Sequence, residues 1–125
     1  MLLKKTPGKI YIAGPMSGKP DFNFPAFNDA QKMLEDCGWI VFNPARKDEE
    51  SQIDPVAMLT GDHLLAVKSG FNFREALTWD LARVVEADAI YMLHGWEQSP
   101  GARAEHAVAI AMQRHYPEYQ ILYAY

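Results

Sequence analysis

The first regular pattern in the chain is residues 9–42, KIYIAGPMSGKPDFNFPAFNDAQKMLEDCGWIVF, in which two apolar runs flank an amphipathic segment. The run 9–13 is short and β-branched and ends at Gly14-Pro15, which predicts a strand followed by a loop. Apolar residues recur at helical spacing over 24–37, and the run 39–42 predicts a second buried strand. A strand, a helix and a strand in this order predict two parallel strands joined by a right-handed crossover.

The alternation of helices and strands continues in the second half of the chain. Residues 73–86 predict a helix with one apolar stripe, made of Phe73, Ala76, Leu77, Leu81, Val84 and Val85. The other predicted elements are a strand at 89–93, a helix from about 101 to 114 and a strand at 120–124. This order predicts an α/β fold, a doubly wound parallel sheet of the Rossmann-like or flavodoxin-like type. We expect about four to five strands, with helices on both faces.

One stretch interrupts the alternation. Residues 45–72 are polar at first and contain Pro55, Gly61 and Gly70, and they predict only a short helix around 55–59. Because long excursions are often functional, we expect this one to pass over the active face. The whole chain, 1–125, is predicted to be a single domain, since two cores would each be too small.

Composition argues against several classes of protein. The content of 49% apolar and 22% charged residues is that of an ordinary globular domain. A net charge of −4 with scattered Lys and Arg lacks the basic footprint of a protein that binds a nucleic-acid polymer. No apolar run approaches the roughly 20 residues that span a bilayer, and the apolar stretch at the start of the chain is too short for a signal peptide, so no membrane partner is expected.

The cysteine count indicates the compartment. Cys37 is the only cysteine, so no intrachain disulfide can form, and a reducing environment is the natural one. We therefore expect a cytoplasmic protein. Cys37 closes the apolar face of the first helix and is expected to be buried there as a small apolar residue.

In doubly wound sheets, ligands bind beyond the carboxyl ends of the strands, which directs attention to the loop after the first strand. This loop consists of Gly14, Pro15, Met16, Ser17 and Gly18. Glycines let backbone N–H groups approach an anion closely, so the loop could hold a phosphate. A plain tight turn explains the same residues, and both interpretations stay open.

The loop after the third strand, residues 94–101, should face the same crevice. Ser99 is well placed as the N-cap of the following helix, with Pro100 at the first helical position. Such a helix start also offers N–H groups and the positive end of a dipole to a phosphate. Capping and anion binding are both compatible with Ser99.

Two carboxylates are candidates for chemistry. Glu105 lies six residues after Ser99 on a helix lined with alanines, which leave room around it, although a surface glutamate would look the same. Asp80 falls inside the apolar stripe of the preceding helix, where a carboxylate needs a partner or a role in a site. Structural hydrogen bonding and catalysis both fit Asp80.

Two further patterns are weaker. The four histidines and Cys37 lack the spacing of metal ligands, so neither a metal nor another cofactor is predicted. Phe22-Asn23-Phe24 could stack on a base, but the same residues could form a hydrophobic staple for the first helix.

Taken together, Tyr11-Ile12-Ala13-Gly14, Asp80 and the run 99–105, SPGARAE, resemble the motifs of the nucleoside 2-deoxyribosyltransferase superfamily. That superfamily includes the transferases proper, the 2-deoxynucleoside 5-monophosphate N-hydrolases and small uncharacterised bacterial and phage proteins. The resemblance extends from about residue 9 to 123 and leaves 45–72 unmatched. It is nearest to the N-hydrolases and their small relatives.

The resemblance implies cleavage of the N-glycosidic bond of a nucleotide, by hydrolysis or by base transfer. Glu105 would be the nucleophile, Tyr11 its hydrogen-bond partner, and Asp80 the residue that addresses the base. The position of Ser99 is typically acidic in the transferases and meets a free 5-hydroxyl, whereas in the hydrolases it is typically serine and meets phosphate. Ser99, with Gly101 beside it and the loop 14–18, therefore favours a nucleoside 5-monophosphate.

The relatives complete their sites with residues of a neighbouring copy, so the resemblance also implies a homo-oligomer, a dimer in the simplest case. The aromatic residues are numerous for so small a surface and agree with this: Trp79, Trp96, Tyr116, Tyr119, Tyr123 and Tyr125. An alternative function stays open, in which the same crevice senses a nucleotide without cleaving it and the protein acts through a protein partner.

Overall fold

A computed structural model describes residues 8–49, 61–62 and 72–124, with the backbone alone at 48 and 49. The elements in chain order are β1 (Lys9–Ala13), α1 (Phe24–Asp36), β2 (Ile40–Phe42), α2 (Pro44–Glu49), α3 (Phe73–Glu86), β3 (Ala89–Met92), α4 (Pro100–His115) and β4 (Gln120–Tyr123). Short helical turns at Pro20–Asn23 and Trp96–Gln98 precede α1 and α4. Of the eight strands and helices from β1 to β4, α2 is the only one that the sequence pattern did not predict. The ends of the others agree with the predicted ones to within one residue.

The four strands form one parallel sheet in the order β2-β1-β3-β4. The predicted doubly wound α/β fold, Rossmann-like in topology, is therefore confirmed. The chain runs from β1 outward to β2, returns past β1 to β3, and continues to β4 on the other side. The direction of winding thus changes between β1 and β3, and the carboxyl ends of these two strands are where such folds bind ligands.

Alternate strand residues supply two apolar cores, one on each face of the sheet. The core under α1 includes Ile10, Ile12, Phe27, Leu34 and Ala89. The core under α3 and α4 includes Tyr11, Ala13, Val84, Ile90 and Ala109. Because Tyr11 lies fully inside the second core, its hydroxyl is directed into the layer that contains α4.

Three residues of the predicted helix faces are exposed. Cys37 is exposed because α1 ends at Asp36 and the chain turns there into Gly38, whose φ of 96° is left-handed. Val85 is 51% exposed, because successive side chains of a helix point about 100° apart and it is Val84 that faces the sheet. Phe73, 47% exposed, begins α3 and lies beside the crevice rather than over the sheet.

The predicted excursion at 45–72 begins with a helix that the sequence did not predict. The side chain of Asn43 caps the N-terminus of α2: its Oδ1 accepts a 2.9 Å hydrogen bond from the N–H of Ala45. The pair Asn43-Pro44 directly follows β2 and is at the same time the cap and the first residue of this helix. The predicted short helix at 55–59 lies outside the described residues.

The helices of the described residues bear on the membrane prediction. In 8–49, 61–62 and 72–124, none of them has both the length and the apolar character needed to cross a bilayer.

Candidate functional site

A cavity of about 510 Å³ opens at the carboxyl ends of β1 and β3, where the fold predicts a ligand site. Its wall contains nine of the ten residues proposed from the sequence, namely Tyr11, Gly14, Pro15, Met16, Ser17, Asp80, Ser99, Gly101 and Glu105. The tenth, Gly18, is exposed and is not part of the wall. Residues far apart in the sequence are therefore brought together around one space.

Tyr11 and Glu105 form a buried pair in this wall. The hydroxyl of Tyr11 donates a 2.6 Å hydrogen bond to Oε2 of Glu105. Tyr11 is 0% exposed and Glu105 is 5% exposed, so the surface interpretation of Glu105 is wrong. Burying a carboxylate is unfavourable unless it is hydrogen-bonded, and a buried carboxylate facing a cavity is typical of a functional site.

The local sequence explains how Glu105 comes to lie inward. The buried face of α4 is Ala102, Glu105 and Ala109, at spacings of three and four residues. The two alanines allow α4 to lie close to β1 and β3, and Glu105 then meets Tyr11 from β1. The burial of the carboxylate therefore results from small neighbours on its own helix.

Asp80 lies in the same wall on α3, together with Ala76 and Leu77 one turn earlier. It is half-buried, as its place inside an apolar stripe requires. The structure thus puts a second carboxylate at the cavity that contains Glu105.

The start of α4 supplies polar groups to the cavity. Oγ of Ser99 accepts a 3.2 Å hydrogen bond from the N–H of Ala102, which confirms the predicted N-cap. The backbone N–H of Arg103 donates to the carbonyl of Ser99, and Pro100 has no N–H. Among the described residues the N–H of Gly101 has no protein acceptor, and a Cβ added there would meet nothing within 4 Å. A ligand can therefore approach the backbone of Gly101.

The loop after β1 is a tight turn, closed by a 3.1 Å hydrogen bond from the N–H of Lys19 to the carbonyl of Met16. The N–H of Gly18 donates to the carbonyl of Gly61, 2.7 Å away, so it is engaged by the protein. Gly14 permits the close packing of the two loops, because a Cβ there would lie 2.8 Å from Cβ of Leu93. The loop thus contains a tight turn, and its residues 14–17 line the cavity.

The turn that leads into α1 has an unusual backbone. Asp21, Phe22 and Asn23 have φ values of 53°, 50° and 61°, and in the described parts of the chain they are the only non-glycine residues with positive φ. Left-handed conformations cost L-residues about 1–2 kcal/mol each, less for Asp and Asn. Phe22 and Phe24 nevertheless are both buried and both line the cavity.

A comparison with known protein families finds a match that covers the fold from β1 to α4. The family described as a domain of unknown function, DUF4406, matches residues 8–116. The chain belongs to the DUF4406 family. The match begins just before β1 and ends just after α4, so it contains all of the cavity wall. Comparisons with curated proteins and with solved structures found no match.

The cavity of this DUF4406 domain also contains residues that sequence reasoning missed. They include Lys19, Gln98 and Phe73, which also line the cavity and carry a cation, an amide and a ring. Lys19 directly follows the glycine loop and Gln98 directly precedes Ser99, so their adjacency to predicted site residues was the available signal. Phe73 gave no such signal, because its place in an apolar stripe predicted burial against the sheet.

His106 follows Glu105 but does not line the cavity. Its ring stacks on Trp96 with centroids 4.2 Å apart, and Nε2 lies 2.9 Å from the hydroxyl of Tyr123. Burial lowers the pKa of His106 from its ordinary value of 6.5. Among the residues that the structure describes, no group of three or more His, Cys, Asp or Glu side chains could hold a metal ion.

Proposed function

We propose that the protein cleaves the N-glycosidic bond of a nucleoside or deoxynucleoside 5-monophosphate, with Glu105 as the nucleophile. The observation that carries the proposal is the buried hydrogen bond of Tyr11 to Glu105 in the wall of the cavity. The DUF4406 description assigns no activity. The relation to the nucleoside 2-deoxyribosyltransferase superfamily is therefore part of the proposal, and it rests on Tyr11, Asp80 and the run 99–105.

In the proposed first step, the carboxylate of Glu105 attacks the anomeric carbon of the sugar. A carbon–oxygen bond to Glu105 forms as the bond from that carbon to the base nitrogen breaks, and its electron pair leaves with the base. The transition state resembles an oxocarbenium ion, as in glycoside hydrolysis. Tyr11 supports this step by fixing the orientation of the carboxylate.

In the proposed second step, water attacks the same carbon as the bond to Glu105 breaks, and its electron pair returns to the carboxylate. One proton of the water passes to the solvent or to Asp80, so the products are a sugar 5-phosphate and the free carboxylate of Glu105. If another base takes the place of water, the products are a new nucleotide and the free carboxylate. Hydrolysis and base transfer thus use the same glycosyl-enzyme, and the substrate panel described below distinguishes them.

Asp80 is proposed to assist the departure of the base. A base leaves more readily when it is protonated or held by a hydrogen bond, and a carboxyl group in the same cavity can do either. Asp80 lies on α3, whereas Lys19, Ser99 and Gly101 belong to the two loops and to the start of α4. It can therefore contact a different part of a bound nucleotide.

The phosphate is proposed to bind where α4 begins. Ser99 and Gly101 line the cavity at the start of α4, where free N–H groups and the positive end of the helix dipole favour an anion. Although Oγ of Ser99 accepts a hydrogen bond from Ala102, its own hydrogen can still be donated to a phosphate oxygen. Lys19, in the same wall, adds a positive charge that suits a phosphate and has no evident use with an uncharged nucleoside.

The test is a panel of ribo- and deoxyribonucleoside 5-monophosphates and the corresponding nucleosides, incubated with the purified protein. We expect the release of free base from at least one monophosphate, measured by chromatography. Addition of a second free base distinguishes transfer from hydrolysis, because transfer yields a new nucleotide. Binding without any release of base from the whole panel would overturn the catalytic proposal and favour the nucleotide-sensing alternative.

The homo-oligomer is also a proposal. Two of the aromatic residues that suggested it, Tyr116 and Tyr123, are 54% and 50% exposed and could be covered by a second copy. Tyr119 is buried in the core of its own chain and therefore does not count as surface. Light scattering at micromolar concentration is expected to give at least a dimer, and a monomer would contradict the proposal.

A further inference from the structure

The excursion between β2 and α3 meets the loop after β1 at Gly61. The backbone N–H of Gly18 donates a 2.7 Å hydrogen bond to the carbonyl of Gly61. Gly61 is buried and has a left-handed φ of 72°. It does not line the cavity itself, but the loop that it contacts does. The part of the excursion that the structure describes is therefore joined to a loop of the candidate site.

Gly61 packs so closely against the backbone of Lys19 that a side chain at this position has no room. A Cβ added to Gly61 would overlap the carbonyl oxygen of Lys19 and lie 2.6 Å from its nitrogen and 2.9 Å from its carbonyl carbon. These are backbone atoms, which cannot turn aside as the end of a flexible side chain can. The left-handed φ disfavours a side chain as well. Two separate features thus require glycine here.

The backbone of Lys19 is held from several sides, while the residue as a whole is exposed. Its N–H donates a 3.1 Å hydrogen bond to the carbonyl of Met16, and its carbonyl accepts a 2.9 Å hydrogen bond from the N–H of Phe22. Gly61 lies against the same nitrogen and oxygen. A lysine side chain is a point charge on a long, flexible stem, so the place where the stem starts limits the positions that the ammonium group can take.

We propose that Gly61 is a positioning residue for the phosphate of the substrate. It fixes the backbone of Gly18 and Lys19, and this sets the place from which the ammonium group of Lys19 reaches the phosphate. The inference rests on the proposed function, which assigns a 5-monophosphate to this cavity and Lys19 to its phosphate. It adds that a residue of the excursion, far along the chain from both loops, determines how well the phosphate is bound.

The first test is a double-mutant cycle in the Glu105→Gln background, in which no turnover should occur. Calorimetry gives the affinities for the 5-monophosphate that binds best and for its nucleoside. Lys19→Met should weaken the monophosphate by about 5- to 50-fold and leave the nucleoside unchanged. Gly61→Ala should also weaken the monophosphate alone. Because both substitutions act through one ammonium group, Gly61→Ala should have little further effect in a protein that already carries Lys19→Met.

Gly38→Ala is the matched control for the cycle. Gly38 also has a left-handed φ, 96°, but a Cβ added there would meet nothing within 4 Å. The substitution should lower the melting temperature and leave the affinities for both ligands unchanged. It separates the strain of a left-handed alanine from the displacement of Lys19.

The second test needs no substitution at Gly61, so it remains decisive if Gly61→Ala does not fold. The exchange of the Gly18 amide hydrogen reports on the contact, because its acceptor is the carbonyl of Gly61. A ligand that binds better when this contact is made must in turn stabilise the contact. In the Glu105→Gln protein, with each ligand at the same multiple of its dissociation constant, the monophosphate should slow this exchange more than the nucleoside does. The Gly38 amide, which donates to the carbonyl of Glu35, should exchange equally with both.

Several results would overturn the inference and leave the proposed function standing. Gly61→Ala could weaken both ligands equally or neither, which would give Gly61 a structural role alone. An undiminished effect of Gly61→Ala beside Lys19→Met would mean that it does not act through Lys19. Equal slowing of the Gly18 amide by the two ligands would contradict the coupling.

A failure of the proposed function is distinguishable from these results. If Lys19→Met leaves the affinity for the monophosphate unchanged, the assignment of Lys19 to the phosphate fails, and the inference fails with it. If the substrate panel shows no release of base, the catalytic proposal fails, but the cycle and the exchange measurement are unaffected because they measure binding alone.

Discussion

The hydroxyl of Tyr11 on β1 donates a 2.6 Å hydrogen bond to Oε2 of Glu105 on α4, joining two buried side chains that are 94 positions apart in the chain. Both residues line the cavity at the point where the winding of the sheet changes direction. The fold brings them together because the central strand β1 and the inward face of α4 meet in one core layer. This contact is the centre of the proposed site.

Tyr11→Phe removes the hydroxyl and keeps the ring. A hydrogen bond to a charged group contributes about 1.5–3 kcal/mol. If this energy helps to hold the carboxylate in its reactive orientation, the rate of base release should fall by roughly 10- to 100-fold without it. Turnover per folded molecule and urea unfolding are to be measured together. Tyr91→Phe is the matched control, because Tyr91 lies on β3 and packs on the opposite face of the sheet. Equal turnover in the two variants would mean that Tyr11 has only a structural role.

Asp80→Asn tests the second carboxylate. The amide keeps the shape but cannot donate an acidic proton, and general acid catalysis typically contributes about 100- to 10,000-fold. We expect a fall in kcat within this range. Asp29→Asn, on the exposed side of α1, should leave kcat unchanged. If Asp80→Asn lowers only the melting temperature and turnover per folded molecule is normal, structural hydrogen bonding is the role of Asp80.

Ser99→Asp tests the preference for a phosphate. Aspartate caps a helix as well as serine does, so α4 should keep its start, but its charge faces the proposed phosphate. At short range and partial burial, such repulsion amounts to about 2–4 kcal/mol, so the preference for monophosphate over nucleoside should fall by at least roughly 30-fold. The measurement is the ratio of kcat/KM for the two substrates.

The control for this experiment is Ser99→Ala, which loses the cap without adding a charge. It should lower stability by about 1 kcal/mol and change the substrate ratio much less than Ser99→Asp does. An unchanged ratio in Ser99→Asp would mean that Ser99 is a helix cap alone and that the phosphate binds elsewhere or not at all.

His106 gives the protein a dependence of stability on pH. Because the pKa of His106 is lowered in the folded state, the unfolded state binds more protons near pH 6. The contribution of the neutral ring to the free energy of unfolding is therefore present above about pH 6.5 and is lost as the pH falls below that value. The melting temperature of the wild type should therefore fall more between pH 7.5 and 5.5 than that of His106→Gln. His115→Gln, at the exposed end of α4, should behave as the wild type does. The same slope in His106→Gln and the wild type would contradict this assignment.

The fold was largely predictable, because short apolar runs such as 9–13 and 89–92 alternate with helical periodicity, and this order permits few topologies. Periodicity did not predict the exposure of two side chains that belong to apolar patterns. Cys37 is exposed because α1 ends just before it. Val85 is exposed because successive helix residues point about 100° apart and Val84 is the one that faces the sheet. Asn43-Pro44 can end a strand or begin a helix, and here it does both.

The candidate site was predictable only in part. The positions of the two loops follow from the rule that ligands bind at strand carboxyl ends, and both loops do line the cavity. The burial of Glu105 did not follow from spacing, because a glutamate among alanines is compatible with either face of a helix. The left-handed backbone of Phe22 carries no sequence signal at all, since glycine is the residue that usually marks positive φ.

The most direct test of the account is base release by Glu105→Gln, with the monophosphate that the wild type cleaves best. The amide keeps the size of the side chain and can still contact Tyr11, but it lacks the nucleophilic charge. Glu97→Gln, in the exposed turn before α4, is the matched control. The account predicts a folded Glu105→Gln protein that binds the monophosphate and releases no base, while Glu97→Gln releases base at the wild-type rate. A folded Glu105→Gln protein with the wild-type rate of base release would contradict it.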